Sequence, residues 1–211
     1  MSSVAVIDYG MGNLHSIAKA LQYADSSVNV FVTADGDDIL SADRVVFPGV
    51  GAIRDCMYSL KQSGLIQIIK EAAKAKPFLG ICLGMQALLT DHEENGHTQT
   101  LNIIPGHVVR FTEPLQDQSG ATLKIPHMGW NQVRQMQHPL WENIPQDSRF
   151  YFVHSYYARP DDQATIAGIT DYPKAFTCAL AANNIFAVQF HPEKSQTAGL
   201  QLLKNFLHWD G

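Results

Sequence analysis

Apolar and polar positions follow two alternating periods through the first half of the chain. "SVAVID" (Ser3 to Asp8) is a short apolar run that predicts a buried strand. "NLHSIAKALQYA" (Asn13 to Ala24) then sets Leu14, Ile17, Ala18 and Leu21 on one helical face, with Asn13 in the N-cap position. "VNVFVT" and "RVVFPG" read as the second and third strands, the latter broken by Pro48-Gly49 into a glycine-rich turn. "AIRDCMYSLKQSG" and "LIQIIKEAAKAK" read as two helices, stopped by Gly64 and Pro77. "PFLGIC" is a fourth strand and "LGMQALLTD" a helix. Strands separated by helices predict an α/β fold whose central, mostly parallel sheet carries helices on both faces.

The second half changes character. "GHVVRF", "NQVRQM", "RFYFVHSYYA", "ATIAGIT", "FTCALAANN" and "IFAVQF" are strand-like runs joined by short turns, which predicts an antiparallel β extension. "QDQSGATLK" reads as a polar loop, and "TAGLQLLKNFLHW" as a closing helix with Leu200, Leu203, Phe206 and Leu207 inward. No linker-like stretch divides the halves, so residues 1–211 read as one domain.

Composition narrows the classes. With 45% apolar and 17% charged residues and a formal charge of -5, the chain has the make-up of a folded protein and gives no reason to expect a nucleic-acid or membrane partner. The N-terminus lacks the basic n-region of a signal peptide, and no run approaches a membrane span. Three scattered cysteines, Cys56, Cys82 and Cys178, suit free thiols in a reducing cytoplasm. None of the nine histidines falls in an HExxH pattern, and "DHEENGH" (Asp91 to His97) reads as a solvated loop, so neither metal nor cofactor is expected.

Chemistry concentrates at "GICLG" (Gly80 to Gly84), where a cysteine flanked by glycines joins a buried strand to a helix. The shape G-x-nucleophile-x-G puts a reactive side chain on a strained turn at the sheet's C-terminal edge, where α/β sheets bind ligands. A helix N-terminus behind Cys82 favours thiolate, and the Leu83 amide is free to serve in an oxyanion hole. The same pentapeptide also fits a small cysteine buried in a tight turn. Cys56, within a helix, and Cys178, in an alternating strand, read as core.

"FAVQFHPEKS" (Phe186 to Ser195) offers a base and an orienter: His191 follows an apolar run, Pro192 stops it, and Glu193 stands two residues on. Alone, it also fits a plain strand-ending turn. "FPGVGA" (Phe47 to Ala52) sets glycines around Val50, whose amide suits a second oxyanion donor.

Together, "GICLGMQ", "PGVGA" and "QFHPEKS" resemble the class I, triad-type glutamine amidotransferases. "IDYGMGNLHSIAKAL", "PHMGWNQV" and "YFVHSYYA" make the chain similar, from Val4 to the final helix, to the branch that forms glutaminase subunits of imidazole glycerol phosphate synthases. The resemblance implies hydrolysis of L-glutamine through a thioester at Cys82, with His191 as base and Glu193 orienting it. Leu83 and Val50 are the implied oxyanion donors, the Gly49-Val50 peptide reorienting to serve. Gln86, Glu94, Gly49, Gly51 and the backbone at Ser155 and Tyr156 are the implied glutamine contacts. It further implies a (β/α)8-barrel cyclase subunit that receives the ammonia for histidine biosynthesis, with Asn13, Trp130, Tyr151 and Lys194 facing it. Trp130 and Tyr151 also suit core positions, and His154 reads as a satisfied strand residue bordering the pocket. Three other classes share parts of the pattern: amidotransferases serving anthranilate or aminodeoxychorismate synthesis, a non-enzymatic regulator and a cysteine hydrolase.

Overall fold

The computed structural model describes residues 2–112, 115–116, 120 and 122–211. The first half alternates as expected: β1 (Ser3–Ile7), α1 (Leu14–Ala24), β2 (Asn29–Thr33), α2 (Gly36–Ser41), β3 (Arg44–Gly49), α3 (Ile53–Gln62), α4 (Leu65–Ala75), β4 (Phe78–Cys82) and α5 (Leu83–Ala87). The second half holds β5 (Asp91–His92), β6 (Thr98–Gln99), β7 (Gly106–Arg110), β8 (His127–Gln132), β9 (Arg134–Gln135), β10 (Arg149–His154), β11 (Tyr156–Pro160), β12 (Ile166–Asp171), β13 (Ala175–Ala182) and β14 (Ile185–Val188). Helix α6 (Gln196–His208) follows.

Strands β2, β1, β3, β4 and β14 lie side by side and parallel, and β13, β11 and β7 continue the same sheet with antiparallel pairing. The inner parallel strands β1, β3, β4 and β14 are apolar on both faces because each face meets helices, whereas the edge strand β2 leaves Val32 exposed. Val4, Val6, Val46, Leu79 and Phe186 join the cluster under α1 and α6, with Ile17, Leu203 and Phe206. Their neighbours Ala5, Ile7, Val45, Phe78 and Ile185 point the other way, towards Ile53, Leu60 and Ile69 of α3 and α4. Strand β8 pairs with β10 in a separate two-stranded sheet.

Several boundaries differ from the sequence expectation, each for a local reason. Strand β3 runs through Pro48 to Gly49, which lies opposite Cys82, instead of breaking at Pro48-Gly49. Helix α5 stops at Ala87, because the carbonyls of Ala87, Leu88 and Leu89 accept from the amides of residues 101–104. The run 149–158 breaks at Ser155, whose carbonyl accepts from Phe111, so that β10 pairs with β8 and β11 joins the large sheet. Strand pairing begins at His127, ahead of the expected 131–136.

On α6 it is Leu202, with Gly199, Leu203, Phe206 and Leu207, that is buried; Leu200 is half-buried. Helix α2 had no apolar period to announce it. Asp35 starts it by accepting from the amides of Asp37 and Asp38. Asn13 holds the N-cap position of α1 without a side-chain cap bond. "DHEENGH" is no solvated loop: it contains β5, and His92 is buried. Of the stretch read as a polar loop, residues 117–119 and 121 lie outside the described residues.

Candidate active site

Three strand ends meet at one edge of the sheet. Gly49 ends β3 beside Cys82 at the end of β4, and β14 runs parallel to β4 on its other side, with Val188 opposite Ile81. The chain leaves β14 through Gln189 and Phe190 to His191. Cysteine and histidine, 109 positions apart by the numbering, thus reach the same edge as neighbours.

Cys82 has φ 55° and ψ -111°, a conformation that costs a residue with a β-carbon roughly 1–3 kcal/mol. The surrounding packing holds it there. A β-carbon on Gly84 would sit 1.9 Å from the carbonyl oxygen of Phe47, and one on Gly80 3.1 Å from the Ala187 side chain. The two glycines therefore let β3, β14 and α5 close around the cysteine.

His191 is 2% exposed, and its Nδ1 lies 2.9 Å from Glu193 Oε1. Burial disfavours the charged imidazole, yet the adjacent Cys82 and Glu193 outweigh it and carry the pKa up to about 10. His191 Nε2 and Glu193 Oε2 are buried with no hydrogen-bond partner among the described residues, so Cys82 acts on the ring through proximity and charge, without a well-formed hydrogen bond. Ser195 fixes the backbone beneath: its hydroxyl donates to the His191 carbonyl at 2.6 Å and accepts from Tyr151 N at 3.0 Å. Cys56 and Cys178 have no such setting, and burial pushes both thiols up to about 12.

Cys82 and His191 share a cavity of about 300 Å³ with Val50, Gly51, Leu83 and Gln86, and with Glu94, Ser155 and Tyr156. His154 borders it as expected, and Pro126 and Val153 do so without having been anticipated. Gly49 lies outside the lining, packed so closely that a β-carbon would be 2.5 Å from the Tyr9 hydroxyl. Glu193 also stays outside it, reaching the cavity through His191. Glu94 Oε2 accepts from Ile53 N at 2.8 Å. The Tyr156 carbonyl accepts from Gln86 Nε2 at 3.1 Å and from His154 Nδ1 at 2.8 Å. A larger cleft of about 620 Å³ lies beside β7 and β11, but its lining contains neither Cys82 nor His191.

Trp130, Tyr151 and Lys194 come together at the surface. Trp130 is 43% exposed and meets the Tyr151 ring edge-on at 6.1 Å, while Lys194 Nζ lies 5.8 Å from that ring's centre. Met128, two residues along β8 and 62% exposed, extends the patch. The core alternative for Trp130 is therefore set aside. Asn13 sits half-buried at the start of α1.

A strained nucleophile turn, a histidine held by a buried carboxylate and a cavity between them are the parts of covalent nucleophilic catalysis. The family model described as glutamine amidotransferase class-I matches residues 5–209, which include all of them. The chain belongs to the class-I glutamine amidotransferase family. Curated relatives named imidazole glycerol phosphate synthase subunit HisH share this whole length. Those of Methylococcus capsulatus and Nitrosococcus oceani are 63% and 58% identical, over 100% of this chain and 98% and 99% of theirs. These put the chain in the HisH branch of the family, as an enzyme of the glutamine amidotransferase class. A solved glutamine amidotransferase superposes with TM-score 0.73 at 13% identity, covering 97% of each chain. PurLQS from Thermotoga maritima gives 0.72 at 16% identity and 98% of each. Both show the same fold.

Besides Pro126 and Val153, four residues tied to the site escaped the sequence reading. Gln189 and Ser195 stand inside "FAVQFHPEKS", and a glutamine within an apolar run was a signal that could have been followed. His92 and Tyr9 enter only through tertiary contacts.

Proposed function

We propose that this chain, acting over its whole length as one unit in the cytoplasm, is the glutaminase subunit of an imidazole glycerol phosphate synthase. The observation that carries the reading is the meeting of Cys82, on its strained turn, with the His191–Glu193 pair at a single cavity. L-Glutamine enters with its α-amino group towards Glu94, one oxygen of which is already fixed by Ile53 N. Cys82 Sγ, its proton passed beforehand to His191 Nε2, attacks the side-chain carboxamide carbon. The tetrahedral oxyanion is met by the amides of Leu83 and Val50. As it collapses the carbon–nitrogen bond breaks, and His191 returns the proton to the departing ammonia. Water, deprotonated by His191, then attacks the γ-glutamyl thioester and releases glutamate and the thiol. Glu193 holds the ring orientation and stabilises imidazolium throughout.

The ammonia passes to a (β/α)8-barrel cyclase subunit. It reacts there with a phosphoribulosyl-formimino aminoimidazole carboxamide ribonucleotide, giving imidazole glycerol phosphate and an aminoimidazole carboxamide ribotide for histidine biosynthesis. Asn13, Trp130, Tyr151 and Lys194 are the proposed contacts, supported by the exposed Trp130 packed against the half-buried Tyr151. At rest the Val50 amide points away from the cavity and turns inward only on activation. A structure of the free chain with that amide already aimed at the reaction site would overturn this.

The test is glutamate release from L-glutamine, with and without the cyclase and its nucleotide ligand, beside Cys82→Ala. Strong stimulation that disappears in the variant is expected. Equal turnover without the partner would refute the gating, and turnover by Cys82→Ala within tenfold of the parent's would refute the nucleophile.

A further inference from the structure

We propose that Gln189, Gln86 and His92 form a directed hydrogen-bond relay that starts at the Glu94 backbone amide and ends by presenting an N–H donor to the Cys82 sulfur. The inference rests on the reading of Cys82 as the nucleophile and adds Gln189 and His92 as positioning residues.

The direction follows from two backbone groups whose roles are unambiguous. The Glu94 amide donates to His92 Nδ1 at 3.0 Å, so that nitrogen carries a lone pair and the proton resides on Nε2. His92 is 1% exposed, and burial lowers its pKa to about 4, so the ring is neutral at physiological pH. Nε2 must then donate to Gln86, 3.0 Å away, which fixes the facing atom as Oε1. Gln86 Nε2 is thereby turned to its two acceptors, the Tyr156 carbonyl at 3.1 Å and Gln189 Oε1 at 2.8 Å. The Tyr156 carbonyl can only accept, an independent check on the same orientation. With its oxygen committed to Gln86, Gln189 points Nε2 at Cys82 Sγ, 3.7 Å away. Gln189 is fully buried, so water offers its amide no alternative.

The chemical consequence is asymmetry around the sulfur. A thiol has one weakly donating proton, whereas a thiolate accepts readily. Gln189 offers a donor on one side, and His191, which the neighbouring Cys82 and Glu193 favour as imidazolium, holds the proton on the other. The other titratable groups near the sulfur are Tyr9, Glu94, Tyr156 and His154 around the cavity, and Glu193 behind His191. The relay also ties the nucleophile to the Glu94 segment, where the substrate's amino group is proposed to sit.

The experiment follows alkylation of Cys82 by iodoacetamide in the full-length chain from pH 5 to 10, read at the Cys82 peptide. The buried Cys56 and Cys178 serve as internal controls. Gln189→Met keeps the size but removes the donor. It should slow alkylation at pH 7 about tenfold and move the profile up by about one pH unit. His92→Leu should have a smaller effect in the same direction, and His92→Gln, which can still donate to Gln86, should restore the wild-type profile. A folded Gln189→Met with an unshifted profile would overturn the relay. If that variant does not fold, the His92 pair decides, and coincidence of the Leu and Gln profiles overturns it. Turnover by Cys82→Ala within tenfold of the parent's would instead break the nucleophile assignment, an outcome the alkylation profiles cannot mimic.

Discussion

Strand β4 and the β8–β10 pair both border the site, the pair through Val153 and His154 of β10, and they are held in opposite ways. All five residues of β4 are buried, between β3 and β14, with helices over both faces. Among the described residues β8 pairs only with β10; it turns His127 inward and leaves Met128 and Trp130 exposed. At Gly84, beyond β4, a β-carbon would strike the Phe47 carbonyl, whereas at Gly129 in β8 it would meet nothing within 4 Å. The proposed nucleophile thus stands where packing over-determines the backbone. The pocket wall that follows β10 hangs from a sheet with one open face. Rigid placement of the reacting groups and a wall open to an outside influence are assigned to different parts of one molecule.

The sharpest way to break this comparison is at the rigid end. Cys82→Ala should lower glutamate release by at least about 10³-fold, leaving only what binding and oxyanion contacts provide. Loss of less than tenfold would mean that another group does the chemistry.

Glu193→Gln tests the electrostatics behind the histidine. It should cut turnover at pH 8 by about 10²-fold or more. It should also move the His191 pKa from about 10 back towards its ordinary value. Because the folded-state pKa is raised, the stabilisation from charged His191 is complete below the unfolded value near 6.5 and is lost as pH rises through about 10. Thermal melts between pH 6 and 10 should therefore fall less steeply in the variant than in the parent. Parallel curves would remove the carboxylate from the account.

Gly84→Ala should destabilise the fold by about 1–3 kcal/mol, since the new methyl group must displace the β3 backbone. Equilibrium urea unfolding measures this directly. At the open end, Trp130→Ala should change stability by no more than about 0.5 kcal/mol. Its expected effect is a weaker response of glutamate release to the cyclase. A variant that unfolds, or one that responds to the partner as the parent does, would erase the distinction between the two regions.

What the sequence disclosed divides along the same line. The parallel strands were legible because burial on both faces demands unbroken apolar runs, and Cys82 because its glycines mark a turn that sterics allow in few other ways. The β8–β10 pair was read poorly. Its strands interleave one inward and one outward residue, and the break at Ser155 depends on Phe111, far away in sequence. Helix α2 was hidden because a capping aspartate, not periodicity, starts it. Of the site, the Cys–His–Glu set carried local signals. His92 and Tyr9 carried none, since their roles exist only in contacts that folding creates.

Tyr9 gives one of those contacts a mechanical meaning. Its hydroxyl donates to the Pro48 carbonyl at 2.9 Å, and the adjacent Gly49 is boxed in by Tyr9, Leu83 and Gly84. Beyond it Val50 is exposed, and Gly51 has φ 96°. One end of this short segment is clamped and the other is exposed, like a gate hung on a single post. The proposed rotation of the Gly49-Val50 peptide would then leave β3 in register with β4. The post keeps the rest of the sheet from feeling the gate move.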